Sequence, residues 1–282
     1  MTLLEALHFG RQQLMNADVP DYEYDANALL QSASGKTLAY ILGNPDETLD
    51  AAAESAYREM LSGRVQRIPL QQLLGETCFY GYTFRTRKGT LIPRYDTECL
   101  VEQALAAAPK RSVRFLDLCT GSGCIGIAFR LERRKAGYAD EGVLSDISPE
   151  ALHLAKENAE LLSAGVQVVS SDLFDGIPEG LYDMILSNPP YIPASEMENL
   201  MPEVRLHEPR LALTDEGDGL SFYRRIAEDA KKFLAPGGQL WLEIGYDQGD
   251  AVTKILMDQG YADVTCRTDY AGLDRVVFAK WA

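Results

Sequence analysis

The stretch SNPPYIP, residues 187–193, places an asparagine, two prolines and a tyrosine directly after an apolar run. Proline lacks an N–H and fixes φ, so the chain must leave a central strand here as a stiff turn. The side chain of Asn188 and the carbonyl of Pro189 then offer two neighbouring acceptors, which can hold both hydrogens of one planar NH₂ group. Tyr191 can stack on that group. The motif therefore predicts a catalytic site, formed by Asn188, Pro189 and Tyr191, that acts on an amide or amino nitrogen.

A second chemical feature is the glycine-rich segment LDLCTGSGCIG, which follows a predicted strand and begins a predicted helix. Its glycines allow close backbone approach to a ligand, although such a segment is about as often only a strand-to-helix turn. The pattern G-x-G-x-x-G starting at Gly121 also fits a dinucleotide site. Asp146 follows about 25 residues later and can accept hydrogen bonds from the ribose of either kind of cofactor.

The acidic residues near this segment favour a cationic cofactor. Asp117 precedes the glycines, and Asp172 ends the third strand, where it could bind an adenine amine or serve as an ordinary turn residue. An acidic loop suits S-adenosylmethionine, which carries a sulfonium and an ammonium group. We therefore expect S-adenosylmethionine as the cofactor.

The elements that must position these residues follow from the pattern of the chain. From residue 94 onward, predicted strands and helices alternate, and the last two strands, ADVTCRT and DRVVFAKW, form a closing pair. This alternation predicts a doubly wound, largely parallel α/β sheet with its ligands at the carboxyl ends of the strands. Residues 1–75 have helical spacing, beginning with a capping box at Thr2 and Glu5, and residues 76–93 resemble a β-hairpin linker around Gly81 and a Lys-Gly turn. We expect three parts: 1–75, 76–93 and 94–282.

Composition limits the partners and the location. The net charge of −15 repels a phosphate backbone, so nucleic acid is a disfavoured partner. Five scattered cysteines and three histidines show no metal-ligand spacing, so we expect free thiols and no metal. The N-terminus has no signal-peptide pattern, and no apolar run reaches the roughly 18–20 residues that a membrane span needs. We expect a cytoplasmic monomer.

Several motifs together resemble one family. LIPRYDTE, LDLCTGSGCIGIA, SDIS, SDLF, SNPPYIP and EVRLHEPRLAL are similar to the release factor glutamine methyltransferases, the PrmC/HemK family, and the resemblance covers nearly the whole chain. The NPPY motif alone also occurs in adenine-N6 methyltransferases, whereas IPRYDTE and HEPRLAL are more specific to the family. The resemblance implies a class I S-adenosylmethionine-dependent methyltransferase fold, Rossmann-like, with a mostly parallel seven-stranded sheet whose last strand is antiparallel.

The resemblance also implies a substrate and a set of site residues. The substrate would be the glutamine of the Gly-Gly-Gln motif in class I peptide-chain release factors, methylated at N5, with the N-terminal helical domain holding the release factor. Asp146 would bind the ribose and Leu173 would line the adenine pocket. The other cofactor contacts would be Thr120, Gly121, Ser122, Gly123 and Asn188, and the glutamine amide would be held by Asn188, Pro189, Pro190 and Tyr191.

Three charged residues have two interpretations, and two positions depart from the family pattern. Arg94, Glu98 and Glu208 are candidates for substrate contacts, but they could equally form structural ion pairs. The family usually has glycine at the position of Cys119 and proline at the position of Tyr95. A required positive φ at Cys119 would cost about 1 kcal/mol.

Three other classes of protein are alternatives to this family. A nucleic-acid adenine methyltransferase would share the NPPY chemistry but should carry a basic cleft. A nicotinamide oxidoreductase would use the glycine loop and leave SNPPY unexplained. A non-catalytic binding module would have no use for either feature.

Overall fold

The N-terminal part folds as helices, as predicted. In the computed structural model, the Thr2 side chain accepts a hydrogen bond from the N–H of Glu5, and the Glu5 carboxylate accepts one from the N–H of Thr2, which is the predicted capping box. The fourth helix is capped by Asp50, whose side chain accepts the N–H of Ala53. Five helices occupy this part: α1 Leu3–Asn16, α2 Tyr22–Ser34, α3 Leu38–Gly43, α4 Ala51–Val65 and α5 Leu70–Leu74.

All 282 residues are described, and the chain divides into two units. The first unit contains Met1–Glu76 together with Met201–His207, and the second contains Thr77–Leu200 together with Glu208–Ala282. A short helix, α9 Pro202–His207, thus belongs to the first unit although it lies far along the chain. Glu203 on α9 explains this, because its carboxylate accepts hydrogen bonds from Arg67 at 2.7 and 2.8 Å.

The second unit begins with the predicted hairpin. Strand β1, Glu76–Phe79, pairs with β2, Tyr82–Arg85. Tyr80 and Gly81 form the turn with φ of 51° and 76°, a left-handed conformation typical of tight hairpins. The Lys-Gly pair at residues 88 and 89 lies beyond β2, in an irregular segment, because the strand already ends at Arg85.

A seven-stranded sheet forms the centre of this unit. Its order is β5-β4-β3-β6-β7-β9-β8; β3 to β7 run parallel, and β9 is antiparallel to both β7 and β8. The predicted mostly parallel α/β sheet is therefore confirmed. The strands are β3 Arg114–Leu118, β4 Glu141–Asp146, β5 Gln167–Ser170, β6 Tyr182–Ser187, β7 Leu234–Glu243, β8 Ala262–Thr268 and β9 Asp274–Lys280.

Helices cover both faces of the sheet and bury two apolar cores. Phe115, Phe129 and Trp241 are fully buried in one core, and Ile185 and Tyr223 in the other. The helices of this unit are α6 Glu98–Ala107, α7 Cys124–Lys135, α8 Pro149–Leu161, α10 Ser221–Asp229 and α11 Gly249–Asp258. The chain order reverses at β3, whose neighbours are β4 and β6, so the carboxyl end of β3 is the topological switch point at which such sheets bind ligands.

Candidate active site

A cleft opens at this switch point, between the carboxyl ends of β3, β4 and β6. The space inside it is about 970 Å³ when the open solvent at its mouth is included. The cleft brings together nine of the residues predicted from sequence: Arg94, Thr120, Gly121, Ser122, Asp146, Asp172, Leu173, Asn188 and Pro190. The remaining predicted residues are not part of its lining: Glu98, Asp117, Gly123, Pro189, Tyr191 and Glu208.

Asp117 lies behind the glycine loop and fixes its shape. Its side chain is fully buried, and its Oδ2 accepts the Thr120 hydroxyl at 2.5 Å and the N–H of Gly126 at 2.9 Å. Burial raises the pKa of Asp117 to about 7, while these two hydrogen bonds act in the opposite direction. Asp117 therefore ties the loop to the start of α7 from behind the cleft.

The loop itself needs left-handed backbone at three positions. Cys119, Gly121 and Gly123 have φ of 55°, 55° and 84°. Only Cys119 carries a side chain in this conformation, so it bears the strain expected for the position where the family usually has glycine. Gly123 is also confined by packing, because a Cβ there would lie 2.8 Å from Ile127. The loop nevertheless forms, and both Cys119 and Gly121 line the cleft.

Asp146 ends β4 and faces the loop. Its Oδ2 accepts the N–H of Gly121 and its Oδ1 accepts the N–H of Ser148, both at 2.9 Å. Burial raises the pKa of Asp146, and the backbone hydrogen bonds oppose that rise. Each carboxylate oxygen can still accept a second hydrogen bond, so the fixed carboxylate can bind a pair of hydroxyl groups.

Asp172 and Leu173 follow β5 at the far end of the cleft. Leu173 is buried and has φ of 48°, held by the Ser171 hydroxyl, which donates to its carbonyl at 2.7 Å. Asp172 is half-exposed, and its carboxylate accepts a hydrogen bond from Arg225 at 2.8 Å. Leu173 therefore provides an apolar wall, and Asp172 provides a carboxylate that is already paired.

The NPPY motif leaves the sheet directly after β6. The Ser187 hydroxyl donates to the carbonyl of Leu118 at 2.9 Å and fixes the strand end, and Asn188 Nδ2 lies 3.4 Å from Thr97 Oγ1. The carbonyl of Tyr191 accepts the Gln248 amide at 2.9 Å, and burial raises the pKa of Tyr191 to about 12. Tyr191 is thus a neutral phenol packed against the core, and its stacking on a substrate stays a prediction.

Arg94 and Glu208 bind one another. One Arg94 nitrogen, Nη2, donates to both Glu208 oxygens at 2.7 and 2.6 Å, and the Glu208 side chain is only 1% exposed while that of Arg94 is 40% exposed. Glu98 has a different partner, because its Oε1 accepts the N–H of Tyr80 at the hairpin turn. Arg94 and Glu208 thus form an ion pair, whereas Glu98 binds a backbone N–H, and Arg94 alone among the three lines the cleft.

Several cleft residues were not predicted as site residues, although Leu91, Ile92, Pro93, Leu211 and Ala212 lie in motifs that carry the family resemblance. Residues 89–93 form one wall, Leu211 and Ala212 another, and Phe222 projects from α10. Glu243, which ends β7, was also missed; burial raises the pKa of its carboxyl to about 7, and the nearby side chains of Thr97 and Asn188 act in the opposite direction. A charged residue that ends the apolar strand LWLE was the one available signal for Glu243.

Two features of the whole chain concern other kinds of site. No group of three or more His, Cys, Asp or Glu side chains is arranged to hold a metal ion. None of the helices combines the length and the hydropathy needed to cross a membrane.

Comparisons with protein families match both parts of the chain. Residues 5–75 match the family model described as the PrmC N-terminal domain. Residues 95–220 match the model described as the Methyltransferase small domain, and this range contains the glycine loop, Asp146 and the NPPY motif.

Curated relatives are similar over almost their full length. A release factor glutamine methyltransferase of Cereibacter sphaeroides is 42% identical over 282 residues, which cover 99% of both chains. The protein of the same name in Salmonella typhimurium is 39% identical, covering 98% of this chain and 97% of the relative. That of Geobacter sulfurreducens is 38% identical, covering 98% and 95%.

Solved structures share the fold of the catalytic part. A methyltransferase from Pyrococcus furiosus superposes with a TM-score of 0.52 at 17% identity, covering 72% of this chain and 90% of its own. A 16S rRNA methyltransferase of T. thermophilus, solved with AdoMet and guanosine, has a TM-score of 0.52 at 18% identity and covers 73% of this chain and 50% of its own. The TM-scores show a shared class I methyltransferase fold, and at these identities the likeness does not extend to the substrate.

Proposed function

This chain belongs to the release factor glutamine methyltransferases, and on that premise we propose its reaction. It transfers a methyl group from S-adenosylmethionine to the side-chain amide nitrogen, N5, of the glutamine in the Gly-Gly-Gln motif of class I peptide-chain release factors. The observation that carries the proposal is the single cleft in which the glycine loop, Asp146 and Asn188 meet. The protein is then a protein-(glutamine-N5) methyltransferase that supports translation termination.

The charges of the cleft fit S-adenosylmethionine better than a dinucleotide. Its lining contains two carboxylates, Asp146 and Asp172, and a single basic residue, Arg94, which is paired with Glu208. No cationic side chain lies at the glycine loop to balance a pyrophosphate, whereas a cofactor with sulfonium and ammonium groups is favoured by acidic surroundings.

We propose a contact with the cofactor for each group of residues in the cleft. Asp146 binds the ribose hydroxyls, Leu173 packs on the adenine, and Asp172 lies where an adenine amine would be. The loop residues Thr120, Gly121, Ser122 and Gly123 approach the rest of the molecule. Asp117 acts indirectly, because it holds the loop from behind.

The NPPY motif orients the acceptor nitrogen. Asn188 and the carbonyl of Pro189 accept the two N–H groups of the glutamine amide, while Pro190 and Tyr191 shape the surrounding wall. S-adenosylmethionine supplies a methyl group whose bond to sulfur breaks, with the electron pair remaining on sulfur, as the new bond to nitrogen forms. An amide nitrogen is a poor nucleophile, so acceptors that strengthen as positive charge develops on it lower the barrier. The nitrogen then loses one proton to solvent.

The remaining proposals concern partners and organisation. The helical domain, residues 1–75, docks the release factor, residues 76–93 form the linker, and residues 94–282 carry out catalysis. We propose that the enzyme acts as a monomer without direct contact to nucleic acid. Its location would be the cytoplasm, since release factors work on ribosomes there.

The experiment incubates a purified release factor with the enzyme and S-adenosylmethionine, and then sequences the Gly-Gly-Gln peptide by mass spectrometry. We expect one methyl on the glutamine, and a rate lowered by roughly 100-fold for Asn188→Ala, as for the loss of one transition-state hydrogen bond. Asn199→Ala, an exposed asparagine outside the cleft, is the matched control and should retain the wild-type rate.

Two results would contradict the proposal in different ways. Methylation of adenine in a parallel nucleic-acid assay, without methyl on glutamine, would keep the chemistry and replace the partner. Tighter binding of NAD than of S-adenosylhomocysteine in isothermal titration would replace the chemistry itself.

A further inference from the structure

A buried carboxyl group lies directly behind the acceptor asparagine. Strands β6 and β7 are parallel neighbours, with Ser187 opposite Leu242, so the next residues, Asn188 and Glu243, leave the sheet side by side. Glu243 is only 1% exposed, and one of its oxygens, Oε2, has no hydrogen-bond partner. A buried carboxyl that is incompletely paired is costly, so its presence beside the reaction site requires an explanation.

The side chain of Glu243 is not needed to hold β7 in the sheet. The backbone of Glu243 is already fixed, because its carbonyl accepts the Tyr223 hydroxyl at 2.9 Å and its residue pairs with Val276 on β9. An apolar side chain would satisfy the same buried position at lower cost. The function of the carboxyl must therefore lie in what its oxygens bind.

Two polar side chains that line the cleft, those of Thr97 and Asn188, lie close enough to the carboxyl to lower its pKa. Asn188 Nδ2 donates one hydrogen to Thr97 Oγ1 at 3.4 Å, which leaves its second hydrogen and the hydrogen of the Thr97 hydroxyl for the Glu243 carboxyl. Both hydrogens of Asn188 Nδ2 can then be taken by acceptors on the protein. With Nδ2 held in this way, the acceptor Oδ1 remains available for a hydrogen bond from a molecule bound in the cleft.

We propose that Glu243 is a positioning residue for methyl transfer, which accepts a hydrogen bond from Asn188 Nδ2 and so presents Asn188 Oδ1 to the substrate nitrogen. The proposal rests on the function proposed above, because the orientation matters only if the substrate donates N–H groups. An amide turned the other way would direct its own donors at the substrate, and the site would repel the NH₂ group it has to bind.

The charges around Glu243 leave its protonation responsive to pH. Arg275 on β9 is the neighbouring cation, but it donates to Asp269 at 3.0 Å and to the carbonyl of Ile244 at 3.4 Å. Asp96 opposes it, and the buried phenol of Tyr191 lies close to Arg275. Burial raises the pKa of Glu243 to about 7, although the nearby side chains of Thr97 and Asn188 lower it. A protonated Glu243 gains a donor and loses acceptor capacity, so the orientation of Asn188 should loosen below neutral pH.

The first test observes Asn188 without any substrate. In nitrogen-15 NMR spectra of the full chain, the side-chain NH₂ signal missing from Asn188→Ala identifies Asn188. We expect this signal to shift with pH around 7 in the wild type and to stop shifting in Glu243→Gln. Glu132→Gln is the matched control, since it removes a carboxylate that accepts the Tyr82 hydroxyl outside the cleft. A wild-type signal that stays constant from pH 5.5 to 8, or that shifts equally in Glu243→Gln, would overturn the proposal.

The second test separates positioning from binding. We expect kcat for methyl transfer to the release factor to fall 10- to 100-fold in Glu243→Gln, with affinity for S-adenosylhomocysteine within about threefold of wild type. Thr97→Val, which removes the intermediate hydroxyl, should behave in the same way. Wild-type kcat should decrease below pH 7, and that decrease should be weaker in Glu243→Gln.

The possible failures are distinguishable. A wild-type kcat in Glu243→Gln, or an equal loss of cofactor affinity and kcat, would overturn the positioning role. If the wild-type enzyme places no methyl on the release factor, the proposed function fails, and the NMR titration still decides how Asn188 is held.

Discussion

Asp146 and Gly121 are joined by a hydrogen bond of 2.9 Å from the backbone N–H of the glycine to the carboxylate. This contact fixes the end of β4 to the loop that follows β3, so the proposed ribose contact and the proposed loop contacts belong to one rigid element. A change at Asp146 therefore affects the cofactor both directly and through the loop.

The first prediction concerns cofactor affinity. Asp146→Asn should weaken binding of S-adenosylhomocysteine by at least roughly 10-fold, because it removes a charged acceptor and places an NH₂ group near the N–H of Gly121 or Ser148. Asp172→Asn should cost less, about threefold, because Asp172 is half-exposed and paired with Arg225. Isothermal titration of both variants measures the difference, and equal losses would contradict the assigned roles.

The second prediction concerns the packing of α7 on the sheet. A Cβ at Gly126 would lie 2.8 Å from Leu144 and 2.9 Å from the Asp117 carboxylate, so Gly126→Ala should lower the free energy of unfolding by about 1–3 kcal/mol. Gly217→Ala is the control, because its nearest atoms lie 3.5 Å away, and it should change stability by less than about 0.5 kcal/mol. Urea unfolding measures both variants. Similar free energies of unfolding for the two variants would contradict the prediction, because they would show that the neighbours of Gly126 move aside at little cost.

The third prediction concerns the pair formed by Arg94 and Glu208. Arg94→Met leaves a buried carboxyl without its cation and should lower the free energy of unfolding by about 1–3 kcal/mol, near the lower end because Arg94 is 40% exposed. Glu208→Gln introduced into Arg94→Met should recover part of that loss, because the unpaired charge is then removed. A double-mutant cycle in urea measures the coupling. Additive effects, together with a raised KM for the release factor in Arg94→Met alone, would support a substrate contact instead.

The fourth prediction concerns stability and pH. Burial raises the pKa of Glu243 from its ordinary value of 4.5 to about 7. Between these values the folded protein retains the proton and the unfolded chain releases it, so the stability linked to Glu243 is full below pH 4.5 and declines until pH 7. From pH 4.5 to 8, the wild type should therefore lose about 2–3 kcal/mol more stability than Glu243→Gln. Urea unfolding at several pH values provides the comparison, and parallel curves for the two proteins would contradict the assignment of this carboxyl.

Local patterns in the sequence were sufficient for the architecture and for the position of the cleft. The alternation of strands and helices gave the parallel sheet, because periodicity and turn residues act over a few neighbouring positions. The glycine loop, Asp146 and SNPPY each follow a strand directly, and parallel strands bring their carboxyl ends to one edge. Parallel direction therefore brings them to one edge, and the strand order β4-β3-β6 makes them neighbours in one cleft.

Contacts between distant segments were decided only by the tertiary structure. Arg94 and Glu208 are separated by 114 residues, and α9 joins the helical unit through Arg67 and Glu203, which are separated by 136 residues. Neither pairing has a local signature, because a charged residue in a sequence does not specify its partner. Glu243 was missed for the same reason: the sequence shows a carboxylate at the end of an apolar strand, and only the register of β6 and β7 places it beside Asn188.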